Sequence, residues 1–230
     1  MKLFLKLIVL IVLIWTSNQC LLGMTGASES DVLKEIYFLK HIEGVTALNL
    51  ASGCNWGLRY GGGLTQMLSY MHLIPMILRR SLTEINYPDL NGCPPLFSVL
   101  FLLLKYVSHG SIQSSVLDDF LVGIILLVVN GANVNFILNQ DSKKMKILPE
   151  QLTNFDTPMH LICKIACIAY KCNGDETLKS FIRQIFEQLF KYGANINACN
   201  GNNLTPLNCA MVNGVADNEI CCLLKRWGAK

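Results

Sequence analysis

Apolar residues recur along this chain at helical spacing, in runs separated by polar turns. Leu96 to Tyr106 and Val116 to Val129 are the most apolar runs, and Phe181 to Tyr192 shows the same spacing with more polar residues between. Asp31 to Lys40 sets Val32, Leu33, Ile36 and Leu39 on one helical face. The pattern predicts an all-α chain whose two central helices are covered on both sides.

The turns repeat. Gly131-Ala132-Asn133-Val134-Asn135 recurs as Gly193-Ala194-Asn195-Ile196-Asn197, and Leu223 to Ala229 ends on a third Gly-Ala pair. Upstream of these stand Thr157-Pro158-Met159-His160 and Thr205-Pro206-Leu207-Asn208. Weaker copies are Thr46-Ala47-Leu48-Asn49, Pro94-Pro95-Leu96-Phe97 and Leu82-Thr83-Glu84-Ile85-Asn86. Each element has a local reason. A Thr hydroxyl before a helix caps free backbone N–H groups. Pro at the first helical position loses no hydrogen bond. Gly after the last turn adopts the left-handed conformation that stops the helix.

These residues resemble the ankyrin repeat, in which Thr-Pro-Leu-His opens the first helix and Leu-Leu-x-x-Gly-Ala-Asp-Val-Asn closes the second. The resemblance covers roughly Gly44 to Lys230. It is strong in the third and fourth units, fair in the second and weak in the first. It implies a solenoid of about four helix-turn-helix units, with partner binding along the finger-like turns. It also implies that His160, the sole His in the family position, bonds between neighbouring units.

Spacing sets this chain apart from that pattern. Thr205 to Gly228 spans 23 residues, whereas Thr46 to Leu82, Pro94 to Gly131 and Thr157 to Gly193 span 36 or 37. Gly62, Gly110 and Gly174 divide the long intervals, and Gly214 the short one. About seven residues are added before the turn and about six after it, close to two helical turns on each side. Units one to three are therefore expected to have taller helices rather than inserted loops. The 31–40 helix would cap the first unit, within 28–43, and the repeats would fill 44–230.

The first 27 residues read as a targeting segment. Lys2 and Lys6 precede and interrupt an apolar stretch, Leu7 to Trp15 is wholly apolar, and small residues follow from Gly23 to Ser28. This is the order of a secretory signal peptide, with cleavage after Ala27. The alternatives are an uncleaved anchor over 3–15 and a lipid-modified Cys20, which the preceding Gln19 disfavours. The expected location is secreted or periplasmic, or membrane-anchored if the leader is retained. A membrane hairpin elsewhere fails on length: Phe120 to Val129 is ten residues, preceded by Asp118 and Asp119, against the ~20 a spanning helix needs.

The chain is 52% apolar and 15% charged with a net charge of +3, which excludes a disordered chain. Outside the leader, 17 basic residues face 16 acidic ones, so no global field draws nucleic acid or an acidic membrane. Ten cysteines stand at irregular spacing, nine of them after Cys20. That is no disulfide framework, and their places within apolar patterns favour buried thiols.

Candidate chemistry is sparse. His160, Cys163 and Cys167 fall at i, i+3 and i+7 with Cys172 beyond, a zinc-type donor set. The family pattern, however, buries the first two for packing. Gly61-Gly62-Gly63 lacks the strand and the Lys-Ser/Thr pair of a phosphate loop. No nucleophile–base motif is evident, so no enzyme activity and no cofactor are expected. A metal-binding or enzymatic protein using the His160 cluster is the alternative reading, with a membrane-tethered structural protein as another.

One irregularity points to binding. Leu82 to Pro94 and Gly193 to Thr205 span 12 residues, but Gly131 to Thr157 spans 26. The extra residues include Asn139, Gln140, Asp141, Lys143, Lys144 and Lys146. This long basic finger, with Asn200, Asn202 and Asn203 on the next one, forms the expected partner-binding edge. Read otherwise, it is a tolerated surface insertion. The chain is expected to be a monomer that binds another protein. Similarity to exported ankyrin proteins of host-associated bacteria implies a host protein as that partner.

Overall fold

The computed structural model describes residues 74, 77–78, 84–88, 92–110, 113–137, 156–171, 176–212 and 219–230. The leader at 1–27, the expected capping helix within 28–43, most of the first unit and the long link 138–155 lie outside the described residues.

Within the described residues the chain is all-α, with no strand. The helices are α1 (Pro95–Ser108), α2 (Ser114–Val129), α3 (Pro158–Lys171), α4 (Glu176–Lys191), α5 (Pro206–Val212) and α6 (Glu219–Arg226). Their lengths follow the expectation from the glycine spacing. α1 and α3 have 14 residues and α2 and α4 have 16, against 7 in α5 and 8 in α6. Each long helix is thus about two turns taller than its counterpart in the last pair.

α1 packs on α2, α3 on α4 and α5 on α6, while α3 also packs between α1 and α5, and α2 on α4. α6 joins the row of α2 and α4 through an Arg183–Glu219 ion pair at 2.6 Å. Phe190 also stacks on Trp227, with ring centroids 4.2 Å apart. Position in these rows explains composition. α1 and α3 are covered from several sides, and in α1 only Phe101, Lys105 and Ser108 escape full burial. α4 buries Leu178, Phe181, Ile182, Ile185, Phe186 and Leu189 on one face and turns its charged residues outward. α2 is less covered than its composition suggests, since Val122 and Val129 are about half exposed at 49% and 51%.

The cysteines behave as small apolar residues. Cys93, Cys163, Cys167, Cys209 and Cys221 are buried, and Cys199 and Cys222 are exposed. The two neighbours Cys221 and Cys222 lie on different faces of α6, one buried and one exposed.

Helix ends are built three times over from the same two residues. Gly131, Gly193 and Gly228 have φ of +92°, +85° and +91°. The Gly N–H bonds the carbonyl three residues back, at 3.0–3.1 Å, on Val128, Phe190 and Lys225. The following Ala N–H bonds the carbonyl five residues back, at 2.9–3.0 Å, on Leu127, Leu189 and Leu224. Paired bonds of this kind satisfy carbonyls that the helix end leaves open. The opening Thr residues differ from each other. Thr205 caps as expected, its hydroxyl accepting from the Asn208 N–H at 3.3 Å. The Thr157 hydroxyl instead meets His160 Nδ1 at 2.9 Å.

A Cβ at Gly193 would meet nothing within 4 Å. A substitution there therefore reports backbone conformation alone. Gly193→Val should destabilise the fold by about 1–2 kcal/mol, the cost of a branched residue in the left-handed region. Gly193→Asn, which tolerates that region, should cost less. Urea unfolding of the two variants checks this, and equal stability of Val and Gly at 193 would contradict the helix end described.

Candidate interaction surface

The turns after α2, α4 and α6 are tied to one another by asparagine side chains. Asn86 donates from Nδ2 to the Gly131 carbonyl at 3.0 Å and accepts at Oδ1 from the Asn133 N–H at 2.6 Å. Asn135 repeats this one turn further on, to the Gly193 carbonyl at 2.9 Å and from the Asn195 N–H at 2.7 Å. Asn197 does the same to the Gly228 carbonyl at 3.5 Å and from the Lys230 N–H at 2.9 Å. A primary amide suits the task because it carries a donor and an acceptor on one plane. The Gly carbonyl and the N–H two residues later are what an otherwise open turn offers it.

Within each turn a second amide sets the local shape. Asn133 Oδ1 accepts from the Asn135 N–H at 2.9 Å, and Asn195 Oδ1 from the Asn197 N–H at 2.9 Å. Beneath the turns, Ala132, Val134, Ala194 and Ile196 are buried. The turns are thus anchored to the core and to each other, with Asn86, Asn133, Asn135, Asn195 and Asn197 all exposed. Tyr87 and Ile137 are the large apolar side chains on this edge, 57% and 54% exposed.

A buried polar network fixes the start of α3 to the following turn. His160 is 0% exposed. Its Nδ1 accepts from the Thr157 N–H at 3.2 Å, and its Nε2 lies 2.9 Å from the Leu204 carbonyl, 44 residues away. The network assigns the proton to Nε2, since Leu204 offers only an acceptor there. Asp156, also 0% exposed, pairs with Lys164 Nζ at 2.5 Å and accepts from Asn200 Nδ2 at 3.0 Å.

This geometry places the residues singled out from sequence. Gln140, Asp141, Lys143, Lys144 and Lys146 lie outside the described residues. Asn202 and Asn203 are exposed, and Asn203 holds a left-handed φ of +56° at the tip of its turn. Asn200 departs from the expectation of a partner contact. It is 4% exposed, and its Oδ1 accepts from the Asn202 and Leu204 N–H groups at 3.0 and 3.1 Å. Its side chain builds the turn from inside, so it offers nothing to a partner.

The zinc-type donor set is spoken for as well. Both ring nitrogens of His160 are engaged within the protein. Burial pushes the Cys163 thiol well above its usual pKa, with Cys209, Cys167 and Cys221 adding to the effect. Burial likewise pushes Cys167 up to about 12. Such thiols are neither nucleophiles nor ready ligands. Cys172 lies outside the described residues, and among those described no group of three donors is placed to hold a metal.

The ladder residues Asn86, Asn135 and Asn197 were not singled out from sequence as functional. The signal was present, since each ends a copy of the same turn motif.

Compared with known proteins, the chain matches no family model and no curated sequence. Among the described residues no helix is long and apolar enough to cross a membrane.

Burial lowers the His160 pKa below its ordinary 6.5, with Lys164 adding to the lowering and the Leu204 carbonyl and Asp156 opposing it. The folded state then binds fewer protons at this site than the unfolded state. The contribution is fully present above about pH 6.5 and is lost as pH falls below that value toward the folded pKa. His160→Gln should cost about 1–3 kcal/mol at pH 7.5 and should flatten the fall in stability between pH 7.5 and 5. Urea unfolding across that range tests it, and parallel curves for wild type and variant would assign the pH dependence elsewhere.

Proposed function

We propose that this chain is an ankyrin-type repeat scaffold that holds another protein along the edge formed by its turns. The observation that carries the reading is the asparagine ladder. It keeps successive turns in register while leaving their tips exposed, which is how a rigid frame presents a binding edge. The taller helices of the second and third units deepen the frame without altering the turns. The reading includes export by the N-terminal leader and a host protein as the partner. The basic link at 140–146 would extend the same edge.

Site-specific photocrosslinking in cells tests this. A benzophenone amino acid is placed at Asn203 and Ile137 on the turn edge, at Lys144 in the long link, and at Asp119 and Gln184 on exposed outer positions of α2 and α4. Adducts of one common mass from Asn203 and Ile137, absent from Asp119 and Gln184, are expected. Adducts from the outer helix positions alone would overturn the proposed edge, and Lys144 reports whether the long link shares it.

A further inference from the structure

The outer faces of α2 and α4 have opposite chemistry at matching positions. Both helices have 16 residues and end two positions before the glycine that stops them, Gly131 and Gly193. Counted back from those glycines, Leu121, Val122, Ile125, Leu126 and Val129 of α2 stand where α4 has Arg183, Gln184, Glu187, Gln188 and Lys191. None of the ten is buried. Positions that are polar or charged in α4 are thus aliphatic in α2. Spaced at i, i+1, i+4, i+5 and i+8, the five side chains form one stripe along the helix. Leu121 and Leu126 also touch the core, but packing does not account for Val122 and Val129, 49% and 51% exposed. A contiguous exposed apolar stripe marks a contact face.

The charges at the two ends of this face select its occupant. Asp118 and Asp119 are exposed at the N-terminal end of the stripe, and α2 has no basic residue. At the other end, on the helix packed beside it, stands the exposed Lys191, the residue equivalent to Val129. Asp118, Asp119 and Lys191 make no ion pair among the described residues, and the Lys191 ammonium lies 5.6 Å from the Tyr192 ring centroid. The other charges of α4 have neighbours on their own chain. Glu176 pairs with Lys179 at 2.7 Å, Arg183 pairs with Glu219 at 2.6 Å, and Glu187 stands one turn from both Arg183 and Lys191.

The face therefore has an acidic end, an aliphatic middle centred on Ile125, and a basic end. Its complement is the same face reversed. A twofold axis beside Ile125 makes an isologous contact. It sets Leu121 of each copy against Val129 of the other, and Ile125 against itself. Antiparallel α2 helices bring the aspartates of each copy toward the Lys191 end of the other. Parallel ones would set Asp118 and Asp119 against their own counterparts. A bilayer is the poorer match, because a helix lying on an anionic membrane carries bases beside its apolar face, and α2 carries only acids.

We propose that the aliphatic face of α2 joins two copies of this chain in an antiparallel, twofold-symmetric dimer, in place of the monomer expected from the sequence. One helical stripe is a small interface, so a dissociation constant of about 10–100 μM is expected. The dimer does not rest on the turn-edge reading, and either stands without the other.

Sedimentation velocity of the full chain, from about 1 to 300 μM, tests this. A rise from monomer to dimer mass is expected over that range. The triple variant Val122→Gln, Ile125→Glu, Val129→Lys installs the residues that α4 carries at the same positions. It should stay monomeric and keep the circular dichroism of the wild type. Asp119→Lys and Lys191→Asp should each weaken the dimer about 5-fold or more, and the two together should restore it. These exposed positions keep the test decisive if the triple variant fails to fold. Monomer at every concentration, a dimer that survives the folded triple variant, or charge changes that add instead of compensating would overturn the inference. Binding of the chain to phosphatidylcholine vesicles with no dimer in solution would also overturn it and assign the stripe to lipid. In the crosslinking experiment, an adduct at Asp119 of twice the chain's own mass would report this dimer and is distinct from the partner adducts of the turn edge.

Discussion

The arrangement depends on one interaction: a primary amide that spans from one turn to the next. Asn86, Asn135 and Asn197 each close two hydrogen bonds to residues 31 to 60 positions away. Such bonds contribute only about 0.5–1.5 kcal/mol each in net terms, and less where water competes. Their importance lies in register. Helix packing tolerates shifts of scatter and angle, whereas a donor and an acceptor on one rigid amide accept only one relation between neighbouring turns. The core sets how closely the pairs approach, and the ladder sets how the turns line up.

The buried network at α3 serves the same end from below. His160 reaches from Thr157 to the Leu204 carbonyl, and Asp156 reaches to Asn200. Together they join the entry to one helix pair with the entry to the next. Polar groups this deep are costly unless every one is bonded, and here the cost is offset by bonds that apolar packing could not direct. The buried thiols around Cys163 are the apolar counterpart, filling small gaps between the helices.

Much of this was legible in the sequence, for identifiable reasons. The ends of α2, α4 and α6 followed from glycine positions, because Gly131, Gly193 and Gly228 all adopt the left-handed conformation that stops a helix. The burial of five of the seven described cysteines followed from their places in the apolar pattern. The capping role was right for Thr205 and wrong for Thr157, whose hydroxyl prefers the ring of His160. Asn200 was taken for a surface contact because polar residues in turns usually are. Its partners Leu204 and Asp156 come from the turn's own far side and from 44 residues upstream, and the second lies beyond any local pattern. The ladder escaped for the same reason: the repeated Asn was visible, but its hydrogen-bond partners lie in the next unit. The expected helix at 31–40 and the basic residues at 140–146 fall outside the described residues.

The central claim is that each turn is held by the amide of the turn before it. Amide hydrogen exchange followed by NMR measures this directly, because Asn133 and Asn195 are exposed residues whose N–H groups bond to Asn86 and Asn135 Oδ1. In the wild type both amides should exchange slowly for exposed turn positions, and in Asn135→Ala the Asn195 amide should lose protection while Asn133 keeps it. Rapid exchange at both positions in the wild type, or undiminished protection of Asn195 in the variant, would contradict the account.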